Sequence, residues 1–120
     1  MIFKVENYQT LRRAVEDVSS FLSERDVPTE RIFDSRLVMS ELIGNVLRHA
    51  KGIATLGVEV REGFVELHVC SETPFTPPAF SRKADLYAES GRGLFLVDSV
   101  SAERKTTAEG GILVRIKIVE

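Results

Sequence analysis

Glu41, Asn45 and His49 stand four residues apart in the run Glu41-Leu42-Ile43-Gly44-Asn45-Val46-Leu47-Arg48-His49-Ala50. On an α-helix each is rotated by only about 40° from the one before, and Arg48 falls beside them. A carboxylate, a carboxamide, an imidazole and a guanidinium then form one polar stripe, a set able to accept a proton and to hold a charged ligand. The helix itself is indicated by Met39, Leu42, Ile43, Val46, Leu47 and Ala50, whose three- and four-residue steps make one apolar face. Asn is a poor interior helix former, because its side chain competes for backbone groups, so Asn45 one turn after Glu41 needs a reason. On this helix alone, a solvated face would be reason enough.

A second segment points beyond that reading. In Ser90-Gly91-Arg92-Gly93-Leu94-Phe95-Leu96-Val97-Asp98-Ser99-Val100, two glycines flank an arginine and open an apolar run with helical spacing. Glycine lets the backbone approach a ligand closely, and a helix N-terminus offers unpaired N–H groups to an anion. Taken alone, a glycine-rich helix start is more often simple capping.

The elements that must position these residues form two layers. Ile2 to Val5 reads as an opening strand, and Asn7 caps a helix from about Tyr8 to Arg25. Asp26-Val27-Pro28-Thr29 breaks it, and Pro28 or Thr29 starts the long helix that is expected to end near Lys51-Gly52. Alternation follows: Leu56, Val58 and Val60 share a face, and after the turn Arg61-Glu62-Gly63, so do Val65, Leu67 and Val69. His68 alternates with these core residues and is expected to be exposed. The last strands run from about Ala102 to Thr107 and from Ile112 to Val119. The expected fold is therefore an α+β two-layer sandwich, a mostly antiparallel mixed sheet with about three helices on one face. Between Glu72 and Ser90 lies a stretch holding three of the four prolines. A segment of this length inside a compact domain is usually functional or mobile.

One domain spanning residues 1–120 is expected, since the chain is long enough for a single core and for no second one. A net charge of −2 and a pI near 5.8 disfavour a nucleic-acid surface. No apolar run approaches a membrane span, and Met1-Ile2-Phe3-Lys4 begins no signal peptide. The lone Cys70 allows no internal disulfide, in keeping with a reducing, cytoplasmic setting.

The two motif segments, in this order and about this far apart, resemble the N-box and the second glycine box of the GHKL ATPase superfamily. That superfamily includes gyrase, heat-shock chaperones, sensor histidine kinases and MutL-type repair proteins. Within it, the compact size and the form Glu-x-x-x-Asn-x-x-x-His-Ala are most like the bacterial anti-sigma-factor serine kinases. The resemblance covers roughly Val5 to Val119 and implies the histidine-kinase-like ATPase fold, with ATP and Mg²⁺ as cofactors. By it, Asn45 matches the Mg²⁺-ligating amide and Glu41 the general base that accepts a proton from a water or a serine hydroxyl. Gly91, Arg92, Gly93 and Leu94 match the turn that wraps the phosphates, and Arg48 joins the nucleotide contacts. His49 matches a position that more often packs or caps than reacts. The stretch 72–90 matches the nucleotide lid, from which Arg82 and Lys83 could reach phosphate oxygens; an ordinary basic pair on a surface loop is the equal alternative.

Two positions depart from that family, and both concern adenine. The first glycine box normally reads Asp-x-Gly-x-Gly after the third strand, its aspartate accepting the adenine amino group; here the stretch is Ser71-Glu72-Thr73-Pro74-Phe75. Ser71 lies on the inward face but carries no charge, whereas Glu72 lies on the opposite face. Near the chain end a family Gly-Thr is replaced by Gly111-Ile112. Losing a charge-assisted hydrogen bond costs about 1.5–3 kcal/mol, or roughly ten- to a hundredfold in affinity. Ser71 and Ile112 would together line the altered base end.

Three functions fit this pattern. The first is an ATP-dependent serine/threonine protein kinase that sequesters a sigma factor and phosphorylates its antagonist, thereby regulating transcription. The second is a non-catalytic partner-switching module with weak or lost ATP binding. The third, a detached sensor-kinase domain, is weakest, because no helix with a phospho-accepting histidine precedes the fold in these 120 residues. The expected partners are a sigma factor, its antagonist or both, with a homodimer implied only by the resemblance.

Overall fold

The computed structural model describes residues 1–50, 52–71, 91–108 and 110–119. Asn7 opens the first helix, α1 (Tyr8–Glu24), through a reciprocal cap: its Oδ1 accepts the Thr10 N–H at 2.8 Å, and its own N–H donates to Thr10 Oγ1 at 3.0 Å. The helix stops in a Schellman motif. Asp26 turns left-handed at φ 60°, its N–H bonds the Ser23 carbonyl, and the Val27 N–H bonds the Leu22 carbonyl. Leu22 and Val27 are both buried, which supplies the hydrophobic contact such a stop usually carries.

Pro28 precedes α2 (Thr29–Asn45), with its carbonyl accepting the N–H groups of Arg31 and Ile32. The expected helix to Lys51-Gly52 is not one continuous α-helix. At Val46 it widens into a π-helical turn, Val46–Ala50. Such turns are rare, and they are frequent at functional sites. The four-residue spacing therefore holds from Glu41 to Asn45 and lapses before His49.

Five strands form one sheet: β1 (Ile2–Val5), β2 (Ala54–Arg61), β3 (Phe64–Ser71), β4 (Glu103–Thr106) and β5 (Ile112–Lys117). Their order is β1-β2-β3-β5-β4 and every ladder is antiparallel. The β2–β3 hairpin turns through Glu62 at φ 53° and Gly63 at φ 84°, the two left-handed residues a tight hairpin needs to match strand twist. A third helix, α3 (Gly91–Val100), leads into β4. The helices lie on one face, with α2 in the middle, packed against α1, α3, β3 and β5. Beneath them Leu56, Val58, Val65, Leu67, Val114 and Ile116 are essentially fully buried. This is the expected α+β sandwich. No helix among the described residues is long and apolar enough to cross a membrane.

On the outer face the expected exposure of His68 is corrected. The ring is half-buried and its Nε2 lies 3.0 Å from Thr107 Oγ1, because the β4–β5 turn folds over the end of β3. That turn is held by the Gly111 N–H donating to Thr107 Oγ1 at 3.1 Å and by the Thr107 N–H donating to the Gly111 carbonyl. Gly111 allows the close approach: a Cβ there would meet the Val69 carbonyl oxygen at 2.7 Å and also press on Cys70 Sγ. Backbone cannot yield as a side-chain tip can. Gly111→Ala should therefore destabilise the fold by about 1–3 kcal/mol, read as a lower urea midpoint with an unchanged slope. An unchanged midpoint would mean that the turn moves away without cost.

Candidate functional site

The connection from the π turn to β2 is short, so Asn45 and the turn sit at the end of the sheet where β2 begins. Ala54 opens β2 and pairs with Ser71, the last residue of β3. Ile112 opens β5 opposite Val69, which places Ser71 one diagonal step from it on the helix-facing side. Ser71 is half-buried and Ile112 only 5% exposed. These two residues thus share a face and a sheet end, as expected for one pocket wall. The Ala102 N–H is tied to the Arg115 carbonyl at the opposite sheet end, just after α3 finishes. A ten-residue helix is about 15 Å long, and α3 lays Leu94 and Val97 against the core. Its first turn, Gly91-Arg92-Gly93, is thereby directed toward the Asn45–Ser71 end. The first N–H groups of that turn have no intrahelical partner, as an anion site requires. Leu94 is a packing residue of this helix. Arg82 and Lys83, with the lid reading of 72–90, lie outside the described residues.

Glu41 is half-buried on α2 and makes no hydrogen bond or ion pair among the described residues, so its carboxylate is available to a ligand. Asn45 differs sharply. It is one of two polar residues buried in the described chain, at 4% exposure, and its Oδ1 accepts a 2.5 Å hydrogen bond from Arg48 Nη2. Arg48 itself is exposed. The guanidinium also lies against Gly44, where a Cβ would come within 3.2 Å of Nη1. The sequence reading placed Arg48 beside the stripe but missed this contact. The signal was there in the three-residue step from Asn45 to Arg48 behind a glycine, a spacing that brings helix side chains together.

The arrangement does not fit the Mg²⁺ that the family would place on Asn45. Mg²⁺ binds oxygen at about 2.0–2.1 Å, and the guanidinium nitrogen already stands where such an ion approaches Oδ1. On the oxygen's other lone pair, a divalent ion would lie roughly 4 Å from a guanidinium charge. The repulsion there is about 2 kcal/mol in water and about 8 kcal/mol at an effective dielectric near 20. Among the described residues no group of three or more His, Cys, Asp or Glu side chains could hold a metal instead. By contrast, the helix start and the free Glu41 carboxylate fit a phosphate chain and a proton transfer. Among the described residues the base end presents Ser71 and Ile112, neither of them an acid.

Comparison with known proteins agrees with the fold and with the order of the motifs. None of the curated proteins compared matches the chain. A family model described as the histidine kinase-like ATPase domain matches residues 4–118, nearly the full length. The match includes both helical motifs and all of the sheet but Ile2 and Phe3, and on this evidence the chain belongs to the GHKL-type histidine-kinase-like ATPase family.

Proposed function

We propose that this protein is an anti-sigma-factor-type regulator that binds ATP and passes its γ-phosphoryl group to a serine of an antagonist protein. The observation that supports this most is the grouping of Glu41 and the glycine turn of α3 at one end of the sheet, with Glu41 making no hydrogen bond or ion pair among the described residues. The Glu-x-x-x-Asn-x-x-x-His-Ala form adds the anti-sigma character. In this reading the N–H groups at the start of α3 hold phosphate oxygens. The attacking serine hydroxyl forms the new O–P bond as the bond to the ADP oxygen breaks, and its proton passes to Glu41. Sigma factor and antagonist would compete for the protein, and nucleotide occupancy would set which is held.

A second reading is a non-catalytic partner switch, favoured by one particular observation. The base end offers Ser71 and the buried Ile112 in place of a charged acceptor with a supporting hydroxyl. Native mass spectrometry of the purified protein separates the two readings. A bound adenine nucleotide, or saturable ATP binding in calorimetry, is expected for the first. A bare protein that takes no ATP at any concentration makes the second the function.

A further inference from the structure

We infer that Arg48 takes the place of the divalent cation in this site, so that the nucleotide phosphates bind a built-in guanidinium and binding does not require Mg²⁺. This rests on the nucleotide reading above and adds the form in which the ligand is taken: metal-free ATP.

The contact between Arg48 and Asn45 is direct: the guanidinium Nη2 donates to the carboxamide Oδ1 and brings its charge onto that oxygen. The acceptor has little freedom to turn away, since Asn45 is buried where the α-helix ends and the π turn begins. Gly44 completes the seat, because even a methyl group there would crowd the guanidinium. The cation on this carboxamide oxygen is covalently part of the chain, and a divalent ion on the remaining lone pair would face its charge.

Arg48 is suited to a phosphate chain as well as to Asn45. A guanidinium has five N–H donors in a planar fork that matches pairs of phosphate oxygens. One donor is used on Asn45, and no other partner holds the group among the described residues. The exposed remainder can meet a ligand arriving between α2 and the first turn of α3. A fixed single charge neutralises less of a triphosphate than a divalent ion does, but its position is set before the ligand arrives.

The test is ATP titration by calorimetry in excess EDTA and again in excess MgCl₂, for the wild type, Arg48→Lys and Arg48→Met. For the wild type, affinities in the two buffers should agree within about threefold. Arg48→Met should lose roughly tenfold or more in EDTA and regain much of it with MgCl₂, once no guanidinium charge opposes an ion at Asn45 Oδ1. Arg48→Lys keeps the charge without the fork and should fall between them. A cooperative melting transition should show that each variant is folded, with Arg48→Met melting lower because the buried Asn45 Oδ1 loses this donor. A wild type that loses tenfold or more in EDTA, or an Arg48→Met protein that keeps wild-type affinity there, overturns the inference and leaves the nucleotide reading standing. No ATP binding by the wild type in either buffer overturns the nucleotide reading and this inference together.

Discussion

Replacing Glu41 by alanine should leave ATP affinity within a few-fold of the wild type while lowering phosphotransfer or hydrolysis by about 10²–10⁴-fold. A group that takes a proton as the new bond forms acts on the reaction step and contributes little to ground-state binding. The structure makes this residue a clean test. Glu41 has no hydrogen bond or ion pair among the described residues, so its removal breaks no network, and stability should change by less than about 1 kcal/mol. Glu41→Gln, which keeps the shape and loses the base, should match the alanine variant. Phosphate release and label transfer from γ-labelled ATP are the measurements. Activity unaffected by either change would remove Glu41 from the chemistry, and activity absent from the wild type itself would favour the partner switch.

The second large effect is expected at the base end. Ser71→Asp together with Ile112→Thr should raise ATP affinity by about tenfold or more and sharpen discrimination against GTP. The β3–β5 register sets these residues as diagonal neighbours on one face, where an introduced hydroxyl can support an introduced carboxylate. The GTP base carries a carbonyl where adenine carries an amino group, and it would repel that carboxylate. Ser71→Asp alone would place its charge beside a buried isoleucine, lowering stability while recovering less affinity. The double change should thus exceed the sum of the singles, as residues sharing one site do. ATP and GTP titrations of all three variants measure this. Additive or absent gains would mean that Ser71 and Ile112 do not face the same ligand.

Much of this protein was legible in the order of its residues. Capping by Asn7, the break at Asp26 to Thr29, the hairpin at Glu62-Gly63 and the alternation of Leu56 to Val69 each rest on local chemistry, and each is found where expected. Local rules suffice there because caps, turns and strand faces depend on residues a few positions apart. The family followed from two motifs whose spacing a chain of this size has little freedom to vary.

What the sequence could not supply depended on contacts between segments or on a change of helical period. Periodicity gave no sign of the π turn at Val46, since the apolar positions from Met39 to Ala50 fit an unbroken α-helix. His68 looked exposed because strand alternation describes a single sheet face. The Thr107 hydroxyl, brought over β3 by the turn into β5, meets that ring and helps to cover it. The same limit applied to the stripe. From spacing alone, Glu41, Asn45 and Arg48 were neighbours of equal standing. The folded chain left Glu41 without a hydrogen bond or ion pair among the described residues, buried Asn45 and laid Arg48 on its oxygen. Residue types and intervals thus set which groups could meet. Tertiary packing, which desolvates some groups and leaves others in water, decided which acceptor was already taken by a cation and which remained open to a ligand.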